Sequence, residues 1–544
     1  LRPSRSSWST IPNPVSTPNP AARTPNPAPR TLLPWFGAIL SGILLWSAFP
    51  PWEISEAAWF GLVPLVLAVR GAGSRRSWQL GLVTGLAFWL PGIWWISHVT
   101  LLGWIVLSAY CSIYLSVFAW FVNMWLRKWG AARWGRNVLL MLAGTAAWVS
   151  TEYARSVLCT GFPWNTLGIS QYGIATVRQL AEWGGVYAVS AVLVVFNFGI
   201  ATTFFRYRES TIRLGRSAHP ELCIGLLVMA MAVAMGMRTL MARDGTLTTP
   251  AHIGVVQTDI PQIDKWTADT IPLIYERLET LTRELGQREH LDLIIWPETA
   301  LPDEVLHSDR SYALVQELVV NQVPILVGTM DSFARESDER IFHLNSSMLF
   351  HTTGRITYRY DKQHLVMWGE YVPFEEALPF LWALTPNDAS FTPGEKSVVF
   401  ELAMPAIEFS TLICFEDALP YLSRRAVANG ARLLINQTND AWFERSAASR
   451  QHMTHCVFRC IENRVPAVRC ANTGISCFID ANGNVQKELK DDTGSTFSQG
   501  VLSHWIFVPK ADHPLTFYTR RGDVFAWVCL GITLGTLIVI RLRK

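Results

Sequence analysis

Long apolar runs constrain this chain more than any other feature. Eight stretches, residues 31–49, 57–69, 81–97, 101–126, 137–151, 184–205, 222–237 and 524–540, are rich in Leu, Val, Ala, Phe and Trp. Several reach the ~20 residues that a helix needs to cross the hydrocarbon core of a bilayer. The runs 57–69 and 137–151 are short enough to be tilted or re-entrant. Half of the 544 residues are hydrophobic and only 16% are charged, so the expected architecture includes a multi-span α-helical membrane domain of about eight transmembrane helices. A net charge of +3 supplies no strong basic field, and no nucleic-acid partner is expected.

Cationic residues mark the sides of the membrane, because cytoplasmic loops carry the excess of Lys and Arg. One set of connections holds Arg70, Arg75 and Arg76, then Arg127, Lys128, Arg133 and Arg136, then Arg206, Arg208, Arg213 and Arg216, and the chain ends in Arg541, Arg543 and Lys544. The connections 50–56 and 98–100 contain neither Lys nor Arg. Every second connection is thus basic, which fits an even number of spans with both termini in the cytoplasm. Arg238 and Arg243 run against the pattern. Parity then puts the chain outside the cytoplasm after the seventh span. The expected organisation is a disordered Pro-rich cytoplasmic tail (1–30), helices 1 to 7 (31–244), an outer domain (245–520), and a last helix with a basic cytoplasmic tail (521–544). The tail is too polar to build a core, and the first apolar run reads as an uncleaved anchor.

Within 245–520 the pattern shifts to short strands separated by helices. "AHIGVVQ", "LDLIIWPE", "VPILVGT", "NSSMLFHTTGRITYRY", "AIEFSTLICFE" and "ARLLINQT" read as strands, and 269–286 and 446–464 as helices. "AVRCANTGISCFIDANGNVQKEL" reads as a hairpin turning at Asn482 and Gly483. Strands alternating with helices predict an α/β layered domain.

Three of these runs end at a reactive side chain: Glu298 in "WPETALP", Lys362 and Glu370 in "DKQHLVMWGEYVPFE", and Cys414, with Glu416 beyond it, in "CFED". A thiol is mostly protonated at neutral pH, so its attack on a carbonyl needs a base such as Glu298. The resulting oxyanion needs a fixed donor, which the Lys362 ammonium and a backbone N–H near Cys414 can supply. Glu370 would hold Lys362 or assist proton transfer. Taken singly, each has a plain structural reading: a buried strand-end thiol, a surface ion pair, a solvated loop carboxylate. The nine cysteines include no CxxC pair, and a disulfide among them stays open. "HMTHCVFRC", with His452, His455, Cys456 and Cys460, lacks a second ligand pair; it reads as a helix with buried thiols, and no metal is expected.

With these residues in view the chain resembles the nitrilase superfamily, and within it the membrane-embedded apolipoprotein N-acyltransferases. "GFPWNTLGISQY" (161–172), "VVQTDIPQIDKW" (255–266), "WPETALP", "DKQHLVMWGEYVPFE", "CFED", "NDAWF" (439–443), "RCIENRVPAVRCANTGIS" (459–476) and "TFYTRRGDVFAW" (516–527) resemble the family's motifs in their usual order, over roughly residues 31 to 541. The resemblance implies an αββα sandwich seated on eight transmembrane helices. It makes Glu298 the general base, Lys362 the oxyanion stabiliser, Cys414 the acylated nucleophile and Glu370 a supporting acid/base. Trp266, on an arm near the site entrance, Glu416, Phe415 and Trp164 become substrate-binding candidates, Trp164 reading equally as an interfacial anchor. Thr258-Asp259 stands where Gly-Asn is usual, and Phe415 where Tyr is common.

The implied reaction is a ping-pong acyl transfer without cofactor, from a membrane phospholipid to the N-terminal diacylglyceryl cysteine of an apolipoprotein, on the periplasmic face of a bacterial inner membrane. The aromatic stretch "MWGEYVPFEEALPFLWALTP" reads as lipid-facing loops or as domain core. A membrane-anchored nitrilase-like amidase that hydrolyses its acyl-enzyme is the alternative. A transporter is disfavoured because the ionisable residues of interest lie outside the spans.

Overall fold

Every apolar run becomes helix in the computed structural model, which describes residues 32–131, 133–209, 219–242, 247–288, 290–319, 323–334, 341–375 and 390–542. The expected tail 1–30, Arg213, Arg216, Arg243, Arg543, Lys544 and the aromatic stretch beyond residue 375 lie outside the described residues. The helices of the first half are α1 (Leu33–Ser47), α2 (Val63–Val69), α3 (Ser74–Gly92), α4 (Leu101–Trp129), α5 (Trp134–Val157), α6 (Ala181–Gly184), α7 (Val186–Glu209) and α8 (Pro220–Met241). Thr100 starts α4 by accepting a hydrogen bond from the Gly103 N–H, and Gly130, at φ 65°, ends it.

Two expected boundaries need correction. Helix α3 begins at Ser74 and not at 81, because Ser, Arg and Gln continue a helix that hydropathy alone cuts short. The run 57–69 divides into a 3₁₀ turn (Ser55–Trp59) and the seven-residue α2. Among the described residues four helices are both long and apolar enough to cross a bilayer: α4, α7, α8 and, after the short α13 (Phe517–Arg521), the C-terminal α14 (Val524–Leu542).

The basic residues of the first set of connections gather at one end of this bundle, whereas Arg155, Arg178 and Arg238 stand toward the other. Arg127 at the end of α4 donates to Ser74 at the start of α3 (2.9 Å), Arg76 lies over the Trp35 ring, and Arg70 lies over Phe205 near the end of α7. Arg206 pairs with Glu221 at the start of α8 (3.1 Å), and Asn137 near the start of α5 reaches the same carboxylate (2.9 Å). Helix α14 runs toward this end too, since Trp527 meets Tyr153 and, further on, Thr533 meets Ser150.

The other end carries the α/β domain. One six-stranded sheet has the order β12-β1-β2-β3-β4-β5, the other β11-β10-β9-β8-β7-β6. The strands are β1 (Thr248–Gln257), β2 (Leu293–Ile295), β3 (Ile325–Ala334), β4 (Ile341–Phe350), β5 (Ile356–Asp361), β6 (Phe400–Leu402), β7 (Ile407–Ile413), β8 (Leu433–Thr438), β9 (Ala467–Ala471), β10 (Cys477–Ile479), β11 (Val485–Glu488) and β12 (Gly500–Pro509). Gly483, at φ 79°, makes the β10–β11 turn. Ile253, Val255, Leu293 and Leu326 of the first sheet pack against Phe409, Ile435, Val468 and Phe478 of the second.

Helices α9 (Thr270–Arg288) and α10 (Asp309–Val319) cover the first sheet, and α11 (Pro420–Ala428) and α12 (Ala448–Asn463) the second. The domain is therefore an αββα sandwich. Its α11/α12 layer shares one continuous apolar core with the membrane helices, from Leu45, Trp89 and Leu193 to Leu422, Met453 and Val457. Gln451 of α12 fastens the junction. Its Oε1 accepts from the indole N–H groups of Trp95 (2.9 Å) and Trp164 (2.8 Å), and its Nε2 donates to the carbonyls of Pro50 (2.9 Å) and Gly92 (3.0 Å).

Candidate active site

Cys414 follows β7 directly and opens the 3₁₀ turn Cys414–Ala418. Its φ of 51° is a left-handed conformation rare for a residue with a side chain, which costs about 1–3 kcal/mol and persists only where the surroundings impose it. Here Asn436 Nδ2 donates to the Cys414 carbonyl (3.1 Å) and the His452 ring lies 3.2 Å from it. Burial, and then the nearby Glu298 carboxylate, push the thiol above its ordinary range against the pull of Lys362. The resting group is a neutral thiol, and any chemistry at its sulfur requires a base to take the proton.

Lys362 stands immediately after β5, 1% exposed. Its ammonium lies 2.8 Å from Glu370 Oε1 and 3.5 Å from Glu298 Oε1. Burial pulls its pKa down, but Glu370 first and then Glu298 outweigh it, so the group is a permanent cation. Glu298 follows β2 in a segment packed so close to β3 that a Cβ at Gly328 would stand 2.1 Å from the Pro297 carbonyl oxygen. Asn345 of β4 donates to Glu298 Oε1 (2.8 Å) and Glu370 Oε1 (3.3 Å), and the Val366 N–H donates to Glu370 Oε2 (2.9 Å). Glu298, Lys362 and Glu370 thus form one hydrogen-bonded unit, and the charges of Glu298 and Lys362 act on the Cys414 thiol.

The remaining candidates divide. Phe415 stacks parallel to Trp164 (ring centroids 6.1 Å apart), Phe162 (6.4 Å) and His364 (6.0 Å), forming an aromatic wall beside the thiol. Arg155 near the end of α5 holds the Phe162 and Trp164 carbonyls, so the membrane bundle itself supplies half of that wall. Trp266 is 44% exposed on the connection between β1 and α9. Glu416 differs from the expectation of a substrate contact. It is fully enclosed, and its oxygens accept from Tyr360 (2.8 Å) and from the backbone N–H groups of Ile413 (2.8 Å), Gln363 (2.7 Å) and His364 (3.0 Å). It ties the turn after Cys414 to the loop after Lys362. Trp164, at 1% exposure and bonded to Gln451, is likewise structural on the side of its ring nitrogen.

Several site residues were not singled out from the sequence. Asn436, Gln437 and Thr438 end β8: Asn436 holds the Cys414 carbonyl, Gln437 donates to the Trp296 carbonyl across the two sheets (2.7 Å), and the Thr438 hydroxyl donates to Asp440 (3.3 Å). Three polar residues closing a buried strand were the available signal in "LLINQT". Lys265, 2% exposed, donates to Thr299 beside Glu298 (2.7 Å), and burial lowers its pKa to about 8. His452 pairs with Asp417 and Asp440 (both 2.9 Å), and Arg469 bonds the same two carboxylates (3.1 and 2.8 Å). Burial and Arg469 oppose protonation of His452, but Asp417 and Asp440 prevail and raise it to about 9. The four-residue "HMTHCVFRC" cluster is fully buried on α12, and all nine cysteines are unpaired.

Residues 41–199 match the apolipoprotein N-acyltransferase N-terminal domain family, and residues 252–501 the carbon-nitrogen hydrolase family. The chain is 36% identical to an apolipoprotein N-acyltransferase from Geobacter metallireducens, over 91% of this chain and 92% of that protein. It is 30% identical to one from Chlorobaculum tepidum, over 94% of this chain and 97% of that protein. The chain belongs to the apolipoprotein N-acyltransferase family. Among solved structures it is similar to Saccharomyces cerevisiae Nit3, described as a member of the nitrilase superfamily, with 17% identity, a TM-score of 0.35, and coverage of 48% of this chain and 92% of that one.

Both departures from the expected family motifs are accommodated. Asp259 adopts the left-handed φ of 48° and bonds Thr473, while the Thr258 hydroxyl donates to Asn472 (2.7 Å). Phe415 stacks inside the aromatic wall.

Proposed function

We infer that this protein N-acylates the S-diacylglyceryl cysteine at the N-terminus of apolipoproteins, with Cys414 as nucleophile, Glu298 as general base, Lys362 as oxyanion stabiliser and Glu370 as the group that orients Lys362. The observation that carries the mechanism is the buried Lys362 ammonium, held by Glu298 and Glu370 beside the thiol.

In the first half-reaction Cys414 Sγ attacks an ester carbonyl of a membrane phospholipid while its proton passes to Glu298. The developing oxyanion is stabilised by Lys362. The tetrahedral intermediate collapses with loss of the lysophospholipid alkoxide, which takes the proton from Glu298 and leaves a thioester on Cys414. In the second half-reaction the α-amine of the diacylglyceryl cysteine attacks the thioester, gives its proton to Glu298, and forms an amide as the thiolate leaves and is reprotonated. Each step is complete with these side chains and the two substrates.

The aromatic wall and the exposed Trp266 are the surfaces offered to acyl chains and acceptor. Glu416 and the inner edge of Trp164 act behind them by positioning. Eight membrane crossings, domain limits at about 245 and 520, cytoplasmic termini and a catalytic domain on the periplasmic side of a bacterial inner membrane complete the reading. It is supported by the collection of cationic residues at the bundle end opposite the sandwich.

The test traps the thioester. Purified protein incubated with phospholipid is expected to gain one acyl mass on the peptide containing Cys414, removed by hydroxylamine and absent from Cys414→Ala. Product formation without any adduct would refute the covalent route. Release of the acyl chain solely as fatty acid when a diacylated lipopeptide is present would favour the amidase.

A further inference from the structure

We propose that Glu304, His307 and Asp331, on the rim of the sandwich, form a binding site for a divalent transition metal of the Zn²⁺ class. His307 Nδ1 lies 2.8 Å from Glu304 Oε2 and 3.4 Å from Asp331 Oδ1, and one ligand atom from each of the three lies within 4.8 Å of the others. Ligand atoms about 2.0–2.2 Å from a tetrahedral zinc are roughly 3.4 Å apart, inside this spread. His343 of β4 lies beside the group, its Nδ1 4.0 Å from Glu304 Oε1, but outside the set of three mutually close ligand atoms, so the remaining position is left to solvent.

A hydrogen-bonded cluster alone leaves one atom unexplained. Asp331 is 3% exposed, and its Oδ1 has no hydrogen-bond donor although it points at His307. The single proton that Nδ1 can carry serves Glu304, the nearer carboxylate, so Asp331 Oδ1 faces a nitrogen whose donor is already used. A buried carboxylate oxygen without a partner is costly. A cation between the three groups satisfies all of them, with Nδ1 deprotonated and acting as ligand.

The outer contacts suit that role. Ser332 donates to Glu304 Oε2 (2.7 Å) and Arg359 holds Asp331 Oδ2, which orients both carboxylates in the manner of residues behind a metal's ligands. Arg359 is itself paired with Asp361 (2.7 Å). Together Glu304, Asp331 and Asp361 carry three negative charges against one on Arg359, so these groups leave a surplus that a dication neutralises.

The ion would act as a staple. It joins the connection after Glu298 to β3, beside His343, which is two residues along β4 from Asn345, the residue that holds Glu298 and Glu370. None of the ligands is among the groups assigned to acyl transfer, so the site stands or falls independently of that assignment.

Titration of the detergent-solubilised full chain with Zn²⁺, and with Co²⁺ as a spectroscopic probe, tests it. One saturable site is expected, whose binding raises the thermal midpoint. Its Co²⁺ spectrum should be that of nitrogen and oxygen ligands, without a thiolate charge-transfer band. Affinity should fall about 10-fold or more in His307→Ala and, as a milder variant, Glu304→Gln, with unfolding midpoints of the metal-free proteins unchanged. Absence of saturable binding, a thiolate band, or equal affinity in the variants overturns the proposal.

Discussion

At the scale of single residues, buried charges at the site are held in place by buried donors. Asn345 is the clearest case, because its one amide group serves both Glu298 and Glu370. Asn345→Leu should lower turnover by about 10²-fold, comparable to loss of one preorganised donor, with thioester formation slowed in a single-turnover acylation assay and folding retained by circular dichroism. His452 makes a different prediction. Its pKa is raised from 6.5 to about 9, so its contribution to stability is complete below pH 6.5 and is lost as pH rises through 9. Relative to His452→Gln, the protein should gain about 3 kcal/mol at the acid end of that window and nothing above it. Parallel unfolding curves from pH 6 to 10 measure the difference, and taking it between two variants cancels the opposing titration of Lys265.

At the scale of elements, the reactive groups owe their positions to strand ends meeting across two sheets. Glu298, Lys362 and Cys414 close β2, β5 and β7, and this was legible because each apolar run stops at a reactive residue. Legibility failed where a polar residue works from inside an element: Asn345 within β4 and Gln451 within α12 carry no local signal, and His452 stood out only beside the thiols of its helix, since the partners of all three come from distant segments. The close passage of β3 past Pro297 predicts that Gly328→Ala separates Glu298 from Lys362, with at least a 10²-fold loss of acylation rate in the same single-turnover assay. Gln451→Leu removes the partner of two indole N–H groups and two carbonyls. At about 1–3 kcal/mol for each buried group left unpaired, it should lower the thermal midpoint in detergent more than any surface substitution.

At the scale of the whole molecule, the helical bundle contributes to the candidate site and does not only anchor it, because Phe162 and Trp164 stack on Phe415, the residue after Cys414. The orientation reading predicts that alkaline phosphatase, active only outside the cytoplasm, is active when fused after Lys510 and inactive when fused after Leu542; the reverse pattern would invert the topology. What the sequence determined by itself were the properties that depend on neighbours along the chain: apolar runs long enough for a bilayer, the alternation of basic connections, the period of buried strands, and the family motifs with their Glu, Lys and Cys. Tertiary structure alone decided which polar groups pair inside. It enclosed Glu416 behind Cys414, although the motif suggested a substrate contact, and it brought three segments to Gln451 and three carboxylates of separate elements around His307 and Arg359. The physical reason is one of range. Hydrophobic burial is read from local pattern, whereas the cost of an unpaired buried charge or amide is met by whichever distant group the fold delivers within about 3 Å.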